Sequence, residues 1–385
     1  MRIRYKKDSD GLRPVARIYT KEEHRIDSSL IDQDAVRAIS RLKQNGFSAY
    51  IVGGAVRDIL LGRVPKDFDI ATSASPRQVH KLFYQARVIG KRFKLVHLVY
   101  GQKIIEVSTF RGESNTDDNT NNVFGTIETD AKRRDFTINS LYYDPIDETL
   151  VDFNNSMEDF KHKRIHSVLP LSTTFTEDPV RMIRALKYSV TTGFKMDFAL
   201  KLAIRRDARL LAGISNSRLT EEVFKILTSG CSAKIIKILD DYSLLVYIMP
   251  CLCVYTKFPQ LYESLSKLDA KINDSVSHGG TEPDIERWEA FQYLTENFIV
   301  KPQEAMTPDE HFKDVFRQVK VLIAPITPPN FELERAVTSY MKQNGYQIPR
   351  GSRYRSAVAQ KTRKPRQKTI RKRTPKKKLP ESLQS

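Results

Sequence analysis

Apolar residues recur at helical spacing over 35–46 (AVRAISRLKQNG) and stop at Gly46, a glycine suited to a helix C-cap. The apolar run 47–52 (FSAYIV) predicts a short buried strand. AVRDILLG (55–62) reads as a helix closed by Gly62, and DFDIAT (67–72) as a strand. SPRQVHKLF (75–83) reads as a helix with Ser75 at its cap and Pro76 in its first position. Residues 87–112 alternate like an antiparallel pair turned at Gly101-Gln102. The segment 113–122 (ESNTDDNTNN) has no apolar residue and predicts an exposed loop. A helical pattern resumes over 124–145, and two short strands, 149–153 and 163–168, flank a small helix. From Thr176 to about residue 342 amphipathic helices dominate, with 270–285 as the clearest loop. The pattern predicts an α+β chain: a β-sheet head with helices on one side, then an all-helical part.

Residues 1–34 read as a polar, irregular extension without a motif. The predicted organisation is therefore an N-terminal extension (1–34), a head (35–168), a helical neck (169–230), a helical body (231–342) and a tail (343–385). The net charge of +18 is mostly in that tail. Between Arg350 and Lys378 there are 14 Lys or Arg and no acid, leaving about +4 for the rest. Such a tail is expected to be disordered without a ligand and to contact an anionic polymer. Arg363, Lys364, Arg366, Arg371, Lys372 and Arg373 are its candidate contacts with that polymer. No apolar run approaches the length of a membrane span, and the basic N-terminus lacks the apolar core of a secretory signal. Cys231, Cys251 and Cys253 do not form a CxxC motif and read as free thiols. The expected location is cytoplasmic.

The candidate chemistry centres on 50–72 (YIVGGAVRDILLGRVPKDFDIAT). Gly53-Gly54 lies between a strand and a helix, where backbone without Cβ atoms can approach a phosphate. Arg57 adds a permanent cation. Asp67 and Asp69 share a face if their segment is a strand, and two carboxylates held so close call for a cation such as Mg²⁺. A bare DxD is more often a solvated strand, but the glycine turn and arginine upstream change that balance toward a nucleoside triphosphate site. Glu106 is a possible third carboxylate facing the pair from a neighbouring strand. In RRDFTIN, Arg134, Asp135 and Asn139 are further candidates, the last two sharing a helix face at i and i+4. In EDPVRMIR, Asp178 before Pro179 suits an N-cap. Arg181 and Arg184, aligned with Glu177, go beyond capping and suit base or triphosphate contacts.

The motifs IVGGAVRDILLG, DFDIAT, IIEVSTFRG, RRDFTINSLYYDP and EDPVRMIRALKYS, in this order, resemble the class II nucleotidyltransferase family, which includes tRNA CCA-adding enzymes and bacterial poly(A) polymerases. Within it the chain is more similar to the polymerases, through VIGKRFKLVHLVYG (88–101), ISNSRLTEEVFKILTSG (214–230), PITPPN (325–330) and the basic C-terminus; its 113–122 loop is shorter than theirs. The resemblance implies a nucleotidyltransferase head followed by helical domains. It also implies Mg²⁺ on Asp67 and Asp69, with Asp135 as the third catalytic acid ahead of Glu106. Gly53, Gly54 and Arg57 would hold the triphosphate. Asp178 and Arg181 would read the base, with Arg184 beside them, and Arg134 and Asn139 would belong to the nucleotide site. The implied activity is template-independent addition of AMP from ATP to RNA 3′ ends, promoting mRNA polyadenylation and decay, with RNA-decay proteins as candidate partners. The alternative is CCA addition to tRNA. A non-catalytic RNA-binding protein is disfavoured by the intact acid pair and glycine turn, and a DNA-binding factor by the lack of a groove-reading element.

Overall fold

The computed structural model describes residues 1–8, 11–90, 95–112, 124–277, 285–301 and 306–349. The tail candidates from Arg363 to Arg373, and the 113–122 loop, lie outside the described residues.

The head is built on one nine-stranded sheet of order β1-β2-β9-β8-β3-β4-β7-β6-β5. Its strands are β1 (Arg2–Asp8), β2 (Gly11–Tyr19), β3 (Ala49–Val52), β4 (Asp69–Thr72), β5 (Ala86–Ile89), β6 (Leu95–Tyr100), β7 (Lys103–Thr109), β8 (Leu141–Asp144) and β9 (Thr149–Asp152). Neighbouring strands run antiparallel except β4 and β7, which are parallel and set Asp69 directly beside Glu106. The glycine turn at Gly101-Gln102 joins β6 to β7 as expected.

Successive strand residues point to opposite faces, so the sheet has two chemistries. One face packs Ile51, Ile70, Ile105, Val107 and Tyr143 against Ala38, Ile39 and Leu42 of the Gln33–Gln44 helix and Val79 near Pro76–Leu82. The other carries Val52, Ala71, Tyr142 and Val151, packed with Phe110, Ile127 and Ala131. Asp69 falls two residues from Ala71, and Glu106 lies between Ile105 and Val107 of the helix-covered face. Both acids therefore project onto the second face, where a site can form.

Beyond residue 176 the described residues are mostly helical, and their core reaches back into the head. Phe136 and Ile138 are fully buried in the same cluster as Phe175, Met182, Ile183 and Leu186, and that cluster extends to Met341. The RRDFTIN segment is thus gripped by the helical half rather than by the sheet.

Several expected boundaries differ. The N-terminal extension is not irregular: it forms the β1–β2 hairpin that widens the sheet. The helical reading of 124–145 holds only for Ile127–Lys132; a short 3-10 turn, Thr137–Asn139, follows, and then β8. All four residues of β8 are buried, and a strand covered on both faces loses the alternation that identifies strands. The 67–72 strand starts at Asp69, leaving Asp67 outside it. The 87–100 segment is two strands, β5 and β6, and in 163–168 only Arg164–Ile165 is strand, paired with Lys195–Met196 outside the main sheet. The 270–285 loop is helical up to Ser277, the end of the 19-residue helix Pro259–Ser277. Among the described residues no helix is long and apolar enough to cross a membrane.

Ile51 is fully buried at the centre of the sheet, while Ile104 on β7 is 47% exposed. Ile51→Ala is expected to cost about 2–5 kcal/mol and Ile104→Ala less than about 0.5 kcal/mol. Urea titration followed by circular dichroism measures both.

Candidate active site

The second face of the sheet and the start of the helical half enclose a cleft of about 810 Å³. Gly53, Gly54, Asp69, Glu106, Arg134, Asp135, Asn139, Asp178, Arg181 and Arg184 all line it. Arg57 and Asp67 do not appear on its wall.

The glycine turn is needed for its shape. Gly53 has φ 72° and ψ −134°, a conformation that side chains disfavour. A Cβ there would stand 3.6 Å from Asp69 Oδ2 and 3.7 Å from Arg134 Nη1, so the turn sits directly over the carboxylate. Asp69 is the pressured group of the site. Burial first, then the charge of Glu106, push its carboxyl up to about 6, with Arg134 pulling the other way. Asp67 is exposed and adds to that pressure from outside the strand. Glu106 is itself 3.3 Å from His97 Nε2 on β6. A pair of like charges in a half-buried cleft leaves negative charge unneutralised, the condition that favours a bound cation.

Among the described residues no group of three or more His, Cys, Asp or Glu is placed to enclose a metal ion. Magnesium does not require such a cage: it is usually held by one or two carboxylates together with substrate phosphates and waters. The Asp69–Glu106 pair fits that requirement.

Asp135 is set by three contacts. Its Oδ1 accepts from the Phe136 N–H at 2.8 Å and from Asn139 Nδ2 at 3.1 Å, and its Oδ2 lies 3.8 Å from Arg184 Nη1. The i, i+4 pairing of Asp135 and Asn139 therefore exists, although the backbone between them is a 3-10 turn and not an α-helix. Arg57 donates to Asn139 Oδ1 at 3.0 Å, grips Asp58 with Nε and Nη2 at 2.9 and 3.0 Å, and lies over the Tyr188 ring at 5.0 Å. Three of its N–H donors brace the wall. Arg134 pairs with Asp130 and not with Asp135: Nη2 donates to Asp130 Oδ2 at 3.1 Å and Nε to the Tyr142 hydroxyl at 3.0 Å. Tyr142 in turn donates to Asp130 at 2.5 Å.

The opposite wall comes from the helices Val180–Thr192 and Asn216–Leu227. Asp178 has a double role. One oxygen accepts from the Val180 N–H at 3.2 Å, the capping contact; the other accepts from Arg218 at 2.6 Å. Arg181 is nearly buried and donates to Thr174 O, Thr174 Oγ1 and Glu177, each at 3.2–3.4 Å, and to Arg133 O at 3.4 Å. Arg184 forks onto Glu222 Oε1 with Nε at 3.1 Å and Nη2 at 2.7 Å. Glu222 is buried and its Oε2 has no hydrogen-bond partner, with Lys187 Nζ 3.8 Å away. Burial opposes ionisation of Glu222, but Arg184 and Lys187 outweigh it and hold its carboxyl below the usual range. Lys187 is pulled down to about 8 by burial, with Glu222 resisting and Lys225, Arg184 and Arg57 reinforcing the fall.

Lys187, Arg218, Glu222 and Lys225 were not among the sequence candidates. Their signal was present as spacing: Arg184 and Lys187 are i and i+3 on one helix, and Arg218, Glu222 and Lys225 are i, i+4 and i+7 on the next.

Residues 49–166 match the poly A polymerase head domain, and 193–255 match the probable RNA and SrmB-binding site of polymerase A. The chain is 41% identical over 257 residues to poly(A) polymerase I of Escherichia coli O157:H7, covering 63% of this chain and 55% of that one. It is 36% identical over 220 residues to the CCA-adding enzyme of Geobacillus kaustophilus, covering 56% and 54%. The chain thus spans about half the length of the curated relatives it matches. The crystal structure of the Bacillus stearothermophilus CCA-adding enzyme in complex with CTP superposes with a TM-score of 0.54 at 27% identity, covering 82% of this chain and 83% of that one. Two family models, the poly A polymerase head domain and the probable RNA-binding segment of polymerase A, thus match in order, and the chain is similar both to bacterial poly(A) polymerase I and to tRNA CCA-adding enzymes.

Proposed function

We propose that the chain transfers AMP from ATP to the 3′-hydroxyl of single-stranded RNA, as a poly(A) polymerase does. The observation that carries this reading is the Asp69–Glu106 pair, set beneath a glycine turn in a cleft whose far wall is cationic. The choice of adenylate rests on likeness to poly(A) polymerase I, which is longer and stronger than the likeness to the CCA-adding enzymes. Addition of CCA to tRNA is the second reading, kept by the 36% identity to those enzymes.

In the proposed reaction the RNA 3′-oxygen attacks the α-phosphorus, the bond to the pyrophosphate oxygen breaks, and the hydroxyl proton passes to solvent water. Asp69, assisted by Asp67 from outside the strand and by Glu106, would hold Mg²⁺. When bound, that ion supplies charge neutralisation at the phosphates and acidifies the hydroxyl. Asp135, locked by Asn139 and the Phe136 N–H, is positioned as the further acid. Gly53 and Gly54 would let the phosphates approach, with Arg57 keeping the wall in place. Lys187 and Lys225 would meet the triphosphate from the helical side. Asp178 and Arg181, already oriented by Arg218 and Thr174, would read the base edge. A bidentate contact of that kind gives ~1–3 kcal/mol, roughly 5- to 150-fold discrimination.

Primer extension tests the reading directly. With ATP and unstructured RNA the chain is expected to make long A tracts; addition of three nucleotides to a tRNA lacking its terminus, followed by a halt, would instead establish CCA addition. Asp69→Asn is expected to lower incorporation by at least about 100-fold with the circular-dichroism spectrum intact.

The raised Asp69 carboxyl also has a stability consequence. Its folded value of about 6 lies above the ordinary 3.8, so the folded state binds more protons between those limits and stability falls as pH rises through them. In metal-free buffer Asp69→Asn is therefore expected to be more stable than wild type above pH 6 by about 1–2 kcal/mol after allowance for solvent, with the gap closing near pH 4. Added Mg²⁺ should raise the melting temperature of the wild type and leave Asp69→Asn unmoved.

Lys187 loses its charge as pH rises through about 8. The KM for ATP is expected to climb across that range, and Lys187→Arg to flatten the profile, because a guanidinium stays charged. A pH series of initial rates decides it.

A further inference from the structure

The β1–β2 hairpin is unused by the site described above, yet it is strongly basic. Its sequence, RIRYKKD and GLRPVARIY, carries Arg2, Arg4, Lys6, Lys7, Arg13 and Arg17. The register decides where they point. Arg2 pairs with Ile18, and Arg4 with Ala16; Ile18 and Ala16 pack with Val52 and Tyr142 on the second face of the sheet. Lys6 alternates with Arg4 and pairs with Arg13 beyond a bulge at Arg4/Tyr5. Arg2, Arg4, Lys6 and Arg13 therefore share the face onto which Asp69 and Glu106 project.

These charges are poorly neutralised. Lys6 and Arg13 lie 3.6 and 3.9 Å from a single carboxylate, Glu128, whose closer partner is Lys132 at 2.8 Å. The Lys6 and Arg13 side chains remain 65% and 62% exposed. Arg2 and Arg4 are exposed and have no carboxylate partner among the described residues. Glu128 sits two residues from Asp130, which lines the cleft, so the helix that receives the hairpin also borders the site. From β1 to β4 there are five strand spacings, about 24 Å.

We propose that this hairpin is a docking strip for the RNA strand upstream of its 3′ end, with Arg2, Arg4, Lys6 and Arg13 contacting successive phosphodiester groups. The proposal rests on the RNA-extending reading above and adds a site on the substrate path. Charge favours RNA over a protein strand adding to the open edge of β1: cations at alternate positions of an edge strand oppose such pairing, and they match a polyanion. The strip also implies that primer length matters, since a short primer ending in the cleft cannot span the distance to β1.

The test uses the full chain and the triple variant Arg2→Gln, Arg4→Gln, Lys6→Gln, checked for an unchanged melting curve. Its KM is measured for a dinucleotide primer and for an oligoadenylate of about 15 nucleotides, and the affinity of the labelled long primer is followed by anisotropy at several salt concentrations. The expected result is a rise of about tenfold in KM for the long primer, with the dinucleotide and ATP values unmoved, and a fall of about 2 in the salt slope, from about 0.7 per lost phosphate contact. An unchanged long-primer KM and slope overturns the proposal and leaves the edge to a strand-adding protein. Equal losses on both primers also overturn it, since they would mean that the hairpin only supports the fold. If the wild type extends neither primer, the proposed function fails, and the strip stands or falls on the anisotropy slope.

Discussion

The parallel pairing of β4 with β7 is the constraint on which the site depends. Every other contact in the nine-stranded sheet is antiparallel. That one exception brings Asp69 and Glu106 side by side on the face that also carries Val52, Ala71 and Tyr142. Folding thus has to bring two like charges together at the rim of a core packed with Ile70, Ile105 and Val107. The core makes the repulsion tolerable, and the repulsion makes the cleft receptive to a cation. The glycine turn over Asp69 and the buried Arg134–Asp130–Tyr142 cluster then fix the geometry around the pair.

A second chain of charge crosses from head to helices: Asp135, Arg184, Glu222, Lys187. Each carboxylate in it is braced by a guanidinium, and the buried oxygen without a hydrogen bond, Glu222 Oε2, faces the ammonium of Lys187. Burying such a network costs desolvation energy that ion pairing only partly returns. Its value lies in orientation, because removing any member would leave a buried charge uncompensated.

Much of this was legible in the sequence. Helices bounded by caps, such as Ser75-Pro76 and the glycine stop at 46, fell where expected because capping chemistry is local. The alternation of β7 was enough to set Glu106 on the face opposite Ile105. What escaped was set by tertiary context. Tyr142 and its neighbours are buried from both sides, so β8 shows no alternation and mimics helix. Arg134 and Arg57 advertise phosphate chemistry, but their partners Asp130, Asn139 and Tyr188 are visible only in three dimensions. The N-terminal hairpin did carry a strand signal, the alternation of Arg2, Arg4 and Lys6 with Ile3 and Tyr5, but that strand is short and exposed and so reads as a polar extension.

The burial of Phe136 and Ile138 in the helical core reaches beyond packing. The aspartate that precedes them belongs by sequence to the head, yet its backbone is held from the other side. The head is therefore not a transplantable cartridge. A chimera joining this head to a foreign helical half would keep its sheet and its carboxylate pair but lose the socket that seats Phe136, and with it the placement of Asp135. The cleft is a shared property of both halves, and the seam between them can be recombined only if both sides of that socket travel together.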